Sequence, residues 1–419
     1  MRAFAASWVI TGMPGEPPLR DGAVVLDEQA RVLAVGPSAE LRNQYPQVSF
    51  SQEAAILLPG LVNAHVHLEL SKLRGETRSG GGFGPWASSM MERRDVLQPE
   101  LDVEAIDAGI SELLRAGTAA IGEVSNTLAS VEPLSSAPLL GRVFHEVFGL
   151  GHQAATAMIG LAHAKRATFG HWPSRLSYTL APHTLYSLHP DSAREVVAAA
   201  RASGVRTSLH LAEHAAERAF LRDGSGPFAE FLRGRGVPFA DFVPPGLSPV
   251  AYAERLGVLG PDVIAVHLCA TDRAELVRVH ETGTPAVLCP RSNLFIELKL
   301  PPLYDVLEAG LRPGLGTDSL ASNTTLDVLA EAAALRDRFP TVEPGLLISM
   351  ATWYGAQALG LSHRVGALRP GLSPGLIALD LARPTEDPLR HVLRAPPPGR
   401  RVLARPAMPG PGQDLENTP

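Results

Sequence analysis

Cysteine, long apolar runs and targeting signals are scarce or absent in this 419-residue sequence, and each scarcity excludes a class of protein. The two cysteines, Cys269 and Cys289, cannot build a disulfide framework, which favours a reducing compartment. The N-terminal MRAFAASWVITG lacks the apolar core and cleavage pattern of a signal peptide. No apolar stretch approaches the length that a membrane span requires. We therefore expect a cytoplasmic protein without a membrane partner.

Basic clusters are also missing. The net charge is −6, and lysine occurs only at Lys72, Lys165 and Lys299. A partner that presents many phosphates, such as a nucleic acid, is not expected. The apolar fraction of 45% and the charged fraction of 19% are typical of a well-buried globular protein. We expect a small-molecule substrate and a possible homodimer as partners, which these totals by themselves do not decide.

The order of strand-like and helix-like segments predicts two structural units. Residues 1–57 alternate short β-like runs with Gly, Pro and Asp turns, and β-like pieces return after residue 364. We expect 1–57 and 364–419 to combine into a small β-sandwich domain, with a flexible tail from about residue 396. Between them, in 58–363, eight apolar segments alternate with amphipathic stretches such as 191–204 and 325–339; the eight segments are LVNAHVHL, TAAIGEV, GRVFHEV, RLSYTLAP, RTSLHLA, DVIAVHL, TPAVLCP and LRPGLGT. This alternation is typical of an α/β protein and predicts a (β/α)₈ TIM barrel.

Two histidines interrupt the first apolar segment, in LPGLVNAHVHLELS. Residues two apart on a strand share a face, so His65 and His67 point the same way. They could present two nitrogen ligands to one metal ion. Two hydrogen-bonded histidines near a strand end are the plainer interpretation, and this pair alone does not decide between them.

Polar side chains follow the apolar runs of three later segments. The fifth contains His210, with Glu213 three residues later, the sixth contains His267, and the eighth leads to Asp318. Catalytic residues of TIM barrels lie at the carboxyl ends of the strands. Together with the histidine pair of the first segment, four segments carry such side chains, which favours one shared site. A glutamate at the position of Glu213 is also common in a first helical turn.

PGLVNAHVHLELS, HLAE, the sixth-strand histidine and GTDSLASN together resemble the amidohydrolase superfamily, in its mononuclear deaminase and chlorohydrolase branch. Within it, HLELSKLRG and GGGFGPWASSM are most similar to aminofutalosine deaminase-like proteins. The resemblance implies one divalent metal ion, with zinc expected first and iron or manganese as alternatives. The ligands it implies are His65, His67, His210 and Asp318. Binuclear relatives carry a bridging lysine at the end of the fourth strand, where RLSYTLAPHTLYS has none.

The resemblance further implies a metal-dependent hydrolytic deaminase of an adenine-type base or nucleoside, such as aminofutalosine, methylthioadenosine or S-adenosylhomocysteine. Metal-bound hydroxide would attack the amino-bearing ring carbon and release ammonia. Glu213 and Asp318 would transfer protons, and His267 would stabilise the tetrahedral centre. Two alternatives stay open: hydrolysis of another heteroaromatic or cyclic amide substrate, including removal of halide, and a non-catalytic barrel scaffold.

Four further residues are candidates for substrate binding. Glu69 shares the predicted strand face with the two histidines, and Trp86 and His183 take positions that the resemblance places near substrate. Arg291 follows the seventh segment and could bind a substrate carboxylate. Packing on the barrel for Trp86, helix capping for His183 and an ordinary surface arginine are the plainer interpretations.

Overall fold

The computed structural model describes residues 1–237, 239, 242–394, 399–410 and 415. Its strands are β1 (Arg2–Val9), β2 (Leu19–Leu26), β3 (Val32–Pro37), β4 (Phe50–Pro59), β5 (Leu61–His67), β6 (Thr118–Ser125), β7 (Leu140–Val147), β8 (Leu176–Pro182), β9 (Thr207–Leu211), β10 (Val263–His267), β11 (Ala286–Leu288), β12 (Gly314–Leu315), β13 (Asp318–Ser319), β14 (Leu376–Asp380) and β15 (Arg400–Ala404).

Its helices are α1 (Ser38–Gln44), α2 (Phe83–Leu97), α3 (Val103–Arg115), α4 (Val131–Ser136), α5 (His152–Ala167), α6 (Pro190–Ser203), α7 (Ala215–Asp223), α8 (Pro227–Gly234), α9 (Pro249–Leu256), α10 (Arg273–Glu281), α11 (Pro290–Glu297), α12 (Leu303–Glu308), α13 (Val328–Arg338), α14 (Pro344–Met350), α15 (Trp353–Leu359) and α16 (Pro388–Val392). Two short 3₁₀ helices span Leu68–Leu73 and Pro99–Leu101. No helix in the described ranges is both long enough and apolar enough to cross a membrane.

Both ends of the chain contribute to one six-stranded sheet, in the order β15-β14-β4-β1-β2-β3. β14 pairs antiparallel with β4, and Ile377 lies opposite Leu58. The predicted β-sandwich is not confirmed, because the described strands of the two ends form this single sheet. Leu41 of α1 packs with sheet residues such as Ala5 and Val25, so a helix covers part of one face instead of a second sheet.

Part of the predicted flexible tail is ordered. Arg400–Ala404 forms β15 and pairs antiparallel with β14, whereas residues 395–398, 411–414 and 416–419 lie outside the described residues. The predicted domain boundaries at 57/58 and 363/364 stay predictions. β4 runs two residues past the first of them, to Pro59.

All eight apolar segments of the central region form strands, and their pairings are parallel. One sheet has the order β13-β5-β6-β7-β8 and the other β12-β11-β10-β9. Every residue of β6 and β7 is buried, as expected for parallel strands covered by helices. Helices separate consecutive strands, and the predicted helices at 191–204 and 325–339 are observed as α6 and α13.

The strand ladder is open between β8 and β9 among the described residues. Hydrogen bonds nevertheless bridge this gap: Thr207 Oγ1 donates to the Leu180 carbonyl at 2.8 Å, and His210 donates to the His183 carbonyl from N at 3.1 Å and from Nδ1 at 3.0 Å. The fold therefore has the strand content and order expected of the predicted barrel, without a continuous ladder around it.

The eighth strand is split into two short pieces by Gly316 and Thr317. Gly316 N donates to the Leu288 carbonyl at 2.9 Å, and Thr317 N donates to the His65 carbonyl at 3.0 Å. The chain therefore changes partner here, from β11 to β5. A Cβ atom on Gly316 would lie 2.6 Å from His65 Cβ and 2.8 Å from the His65 carbonyl oxygen. Only glycine fits between these strands without displacing His65.

We predict that Gly316→Ala lowers the free energy of unfolding by about 1–3 kcal/mol, because the added methyl group overlaps the His65 backbone. Thermal and denaturant unfolding measure the change. Gly160→Ala on α5 is the matched control, since no atom lies within 4 Å of its added Cβ. That control should be neutral or stabilising by about 0.5–1 kcal/mol. Equal stability of the two variants would contradict the close approach at Gly316.

Candidate metal centre and active site

Four side chains from three strands converge at one end of the parallel sheets. His65 and His67 end β5, His210 lies on β9, and Asp318 begins β13. His65 Nε2 lies 3.1 Å from His67 Nε2 and 3.2 Å from His210 Nε2. Asp318 Oδ1 lies 3.4 Å from His67 Nε2 and 3.9 Å from His65 Nε2. The structure thus brings together all four side chains that the sequence predicted as metal ligands.

These separations fit a divalent cation. Ligands about 2.0–2.2 Å from a tetrahedral zinc ion lie roughly 3.3–3.5 Å from one another. Burial, followed by the neighbouring histidines, lowers the pKa of His65 well below its ordinary value, so this imidazole is neutral and offers a lone pair. A neutral imidazole gains little from facing two other ring nitrogens, whereas a shared cation would stabilise the arrangement. Three imidazoles and a carboxylate suit zinc, and also iron or manganese.

Hydrogen bonds orient two of these side chains. His210 Nδ1 donates to the His183 carbonyl at 3.0 Å, which directs Nε2 at the other histidines. Asp318 Oδ2 accepts hydrogen bonds from Ser292 Oγ at 2.5 Å and from Ser322 Oγ at 2.9 Å. Its Oδ1 is the atom near the histidines. The two serines therefore hold the carboxylate with one oxygen turned toward the centre.

Glu213 and His267 stand beside the four converging groups. Glu213 Oε1 lies 3.6 Å from His267 Nε2, and Glu213, His267 and Asp318 place polar atoms within 4.8 Å of one another. Burial lowers the pKa of His267 to about 4, so its ring is neutral at neutral pH. Its buried Nε2 has no hydrogen-bond partner among the described residues, which leaves it available to a bound molecule.

The backbone is strained where these residues leave their strands. Ala212, His267 and Asp318 have φ values of 51°, 79° and 57°, in the left-handed region that non-glycine residues seldom adopt. Such conformations persist where the surrounding structure holds them, and they cluster at functional sites.

A cavity of about 620 Å³ opens onto this cluster, within the range of about 300–1,000 Å³ typical of small-molecule sites. His67, His210, Glu213, His267 and Asp318 line one part of it. Most of the remaining wall is apolar and includes Phe83, Trp86, Met90, Met91, Phe148, Met158, Tyr186, Phe228 and Phe231. The cavity is suited to a largely apolar or aromatic molecule whose reacting end meets the polar groups.

A sequence profile of the amidohydrolase family matches residues 56–402, which include every strand that lines the cavity. The chain belongs to the amidohydrolase family.

Two relatives and one solved structure are similar to this chain over most of its length. The chain is 30% identical over 374 residues to aminodeoxyfutalosine deaminase of Deinococcus radiodurans, covering 86% of each protein. It is 28% identical over 392 residues to 5-methylthioadenosine/S-adenosylhomocysteine deaminase of Pelotomaculum thermopropionicum, covering 90% of this chain and 85% of the relative. The crystal structure of Helicobacter pylori aminofutalosine deaminase with methylthio-coformycin superimposes with a TM-score of 0.84 at 25% identity, covering 94% and 96% of the two chains.

Two of the four predicted substrate-binding residues line the cavity of this amidohydrolase. Trp86 on α2 donates from Nε1 to the Ala321 carbonyl at 3.1 Å, and His183 follows β8 with its Nδ1 2.7 Å from Ser187 Oγ. The His183 ring centroid lies 5.2 Å from that of His210, and the Trp86 ring centroid lies 6.4 Å from that of His214, so both positions allow contact with a bound substrate.

Glu69 is placed differently from its prediction. The strand ends at His67, and the 3₁₀ helix Leu68–Leu73 breaks the two-residue alternation that would have kept Glu69 on the same face. Its carboxylate accepts hydrogen bonds from Asn126 N at 2.9 Å, Thr127 N at 3.1 Å and Ala129 N at 2.9 Å. Glu69 thus holds the loop after β6 and lies outside the set of described residues that line the cavity.

Arg291 also lies outside that set. Its Nε donates to Asn323 Oδ1 at 3.1 Å and its Nη2 donates to Thr324 Oγ1 at 2.6 Å, so it joins the loops after the seventh and eighth strands of the central region. The arginines that do line the cavity are Arg94 and Arg235, which the sequence did not single out. Arg94 lies on α2 and Arg235 follows α8, and neither belongs to a motif quoted from the sequence.

The sequence also missed Glu146, at the end of β7. Burial raises the pKa of Glu146, but the nearby His183, His210 and His67 outweigh burial and lower it to about 2. Glu146 Oε1 lies 3.4 Å from His210 Nδ1, and Oε2 accepts from Asn126 Nδ2 at 3.0 Å. The segment GRVFHEV carries this glutamate at a strand end, which is the signal that could have identified it.

We predict that Ser292→Ala weakens metal affinity by about 10–100-fold, because Asp318 Oδ2 loses one of its two hydroxyl donors and the carboxylate can rotate. A competition titration against a zinc chelator measures the affinity. Ser136→Ala, at an exposed position on α4, is the control and should leave affinity unchanged. Unchanged affinity in the Ser292 variant would mean that Ser322 alone orients Asp318.

Proposed function

We propose that this protein is a metal-dependent hydrolytic deaminase that converts an adenine-type base or nucleoside to its oxo form and releases ammonia. One observation carries the proposal: three histidine Nε2 atoms and one Asp318 oxygen converge at a cavity that also contains Glu213 and His267. The names of the similar proteins support it, since one is an aminodeoxyfutalosine deaminase and another a 5-methylthioadenosine/S-adenosylhomocysteine deaminase.

His65, His67, His210 and Asp318 are the residues that would hold the metal ion, and zinc is the ion we propose. A bound divalent cation lowers the pKa of a water ligand from 15.7 to about 7, which supplies a nucleophile at neutral pH. We propose a single ion. The lysine that bridges two ions in binuclear relatives has no counterpart on β8, whose sequence is LSYTLAP.

The remaining steps belong to the protein's own side chains. Glu213 Oε1 takes one proton from the attacking water and delivers it to the ring nitrogen next to the attacked carbon. Asp318 Oδ1 takes the other proton of that water as the oxo group forms, and passes it to the departing amine, which leaves as ammonia. His267 Nε2, buried and unpaired among the described residues, is placed to hydrogen-bond the oxygen of the tetrahedral centre.

The rest of the cavity would hold the remainder of the substrate. Trp86, Phe83 and the methionines of α2 offer an apolar wall on which a base or an apolar substituent can pack. Arg94 and Arg235 offer guanidinium groups to an anionic group distant from the base. These features favour a substituted nucleoside over a free base.

We also propose that the two parallel sheets act together as one (β/α)₈ barrel. The hydrogen bonds across the gap between β8 and β9 and the pairing of β13 with β5 support a ring of strands. Such a ring explains why residues from β5, β9, β10 and β13 meet at one end.

Hydrolysis of another leaving group is the competing function, because the same site could activate water against a halogenated ring or a cyclic amide.

We predict ammonia release from at least one of adenosine, methylthioadenosine, S-adenosylhomocysteine and aminofutalosine. Guanine, cytosine and a chlorinated triazine form the comparison set. The purified protein should contain about one metal ion per chain, and chelation should abolish turnover until zinc is returned. Halide release without ammonia would reject the deaminase proposal.

We predict that Glu213→Gln keeps the metal but lowers kcat by about 10²–10⁴-fold, since the amide cannot carry the proton. Metal analysis and steady-state kinetics on the best substrate measure the two effects separately. Glu195→Gln, at an exposed position on α6, is the matched control and should retain full activity. A Glu213 variant with a well-preserved kcat would remove this residue from the proton-transfer role.

A further inference from the structure

His214 lies between two carboxylates next to the active site. Its Nε2 is 3.2 Å from Glu213 Oε1 and its Nδ1 is 3.1 Å from Glu297 Oε1. The His214 side chain is only 1% exposed. Neither His214 nor Glu297 belongs to the motifs that point to the four ligands or to the proton-transfer residues.

The two contacts define the protonation state of His214. A carboxylate only accepts hydrogen bonds, and a ring that donates from both nitrogens is an imidazolium. Burial alone lowers the pKa of a histidine, but Glu213 and Glu297 outweigh burial and raise the pKa of His214 to about 10. Burial raises the pKa of Glu213, but His214 and the other nearby histidines outweigh burial and lower it. At neutral pH, the buried His214 imidazolium therefore lies next to the Glu213 carboxylate.

Glu297 connects this cation to the cavity wall. It ends α11 and accepts a hydrogen bond from Phe83 N at 3.0 Å, where α2 begins. The Phe83 ring centroid lies 5.0 Å from that of His214. Phe83 and Trp86 both line the cavity. One carboxylate thus holds both the start of α2 and the ring that faces Glu213.

We propose that His214, anchored by Glu297, is a positioning residue that fixes the Glu213 carboxylate against His267 and joins it to the α2 wall of the cavity. This inference rests on the proposed function, in which Glu213 transfers a proton. Without His214, the side-chain contact that remains for Glu213 Oε1 among the described residues is the longer one, 3.6 Å to Nε2 of the neutral His267 ring. The carboxylate would then sample rotamers that do not reach the substrate ring.

The kinetic test uses the zinc-loaded, full-length protein. We expect His214→Gln to lower kcat by about 10–100-fold with metal content unchanged and KM changed by less than about threefold, because only the orientation of Glu213 is lost. Glu297→Gln should give a smaller loss, since His214 keeps its contact with Glu213. His163→Gln, at an exposed position on α5, is the control and should behave as the unsubstituted protein.

A double-substitution cycle separates positioning from general structural support. If His214 acts through Glu213, then adding His214→Gln to Glu213→Gln should lower kcat little further. A multiplicative loss would overturn the proposal, as would an unchanged kcat in His214→Gln alone. So would a loss of kcat that is matched by loss of zinc.

A spectroscopic readout is independent of any substrate. With ¹⁵N-labelled histidine, the His214 ring should remain doubly protonated at about pH 8, where an ordinary histidine with a pKa of about 6.5 is neutral. The charged or titratable groups near it, among the described residues, include Glu213, Glu297, the buried Glu217 and, across Glu213, His267. A neutral His214 at that pH would overturn the inference. If no substrate is deaminated while His214 is doubly protonated, the proposed function fails, and the arrangement inferred for His214 does not.

Discussion

The pairing of β13 with β5 is the constraint on which the site depends. It places Asp318 opposite Val66 and Ser319 opposite His67, so a residue near the end of the central region joins those near its start. Asn63 secures the junction: its Nδ2 donates to Thr317 Oγ1 at 2.7 Å, and its Oδ1 accepts from Thr317 N at 3.1 Å. Because Asn63 is fully buried, losing either partner would leave an unsatisfied polar group. The same pairing explains why glycine occupies position 316.

The sequence predicted the polar cluster well because parallel strands impose a simple rule. Side chains at the carboxyl ends of neighbouring strands meet, so His65, His67, His210 and Asp318 could be grouped before any contact was known. The rule does not extend past the strand ends. The strand alternation stops at His67, so Glu69 lies on a 3₁₀ helix, and Arg291 at the start of α11 donates to Asn323. Arg94 and Arg235 depend on how α2 and α8 pack, which local sequence patterns do not specify.

The six-stranded sheet built from both chain ends is a second example of what local sequence patterns cannot specify. The turn-rich β pattern at both chain ends was sufficient to predict that they combine, and β14 does pair with β4. The pattern could not show whether the strands would form one sheet or two, because a helix can cover an apolar face as well as a second sheet can. α1 takes that position here. Two buried histidines also differ in charge: burial lowers the pKa of His65, whereas Glu213 and Glu297 on either side of His214 outweigh its burial and raise its pKa.

The direct passage from β4 into β5 has a consequence for folding. Only Gly60 separates the two strands, so the strand that carries His65 and His67 continues straight from one that pairs with β14. During synthesis, β4 would expose one hydrogen-bonding edge until residues 376–380 emerge from the ribosome, more than 300 residues later. Closing so long a loop is slow, and an open apolar edge is prone to wrong pairing in the meantime. The nascent chain is therefore open to misassembly at the segment that leads into its histidine pair.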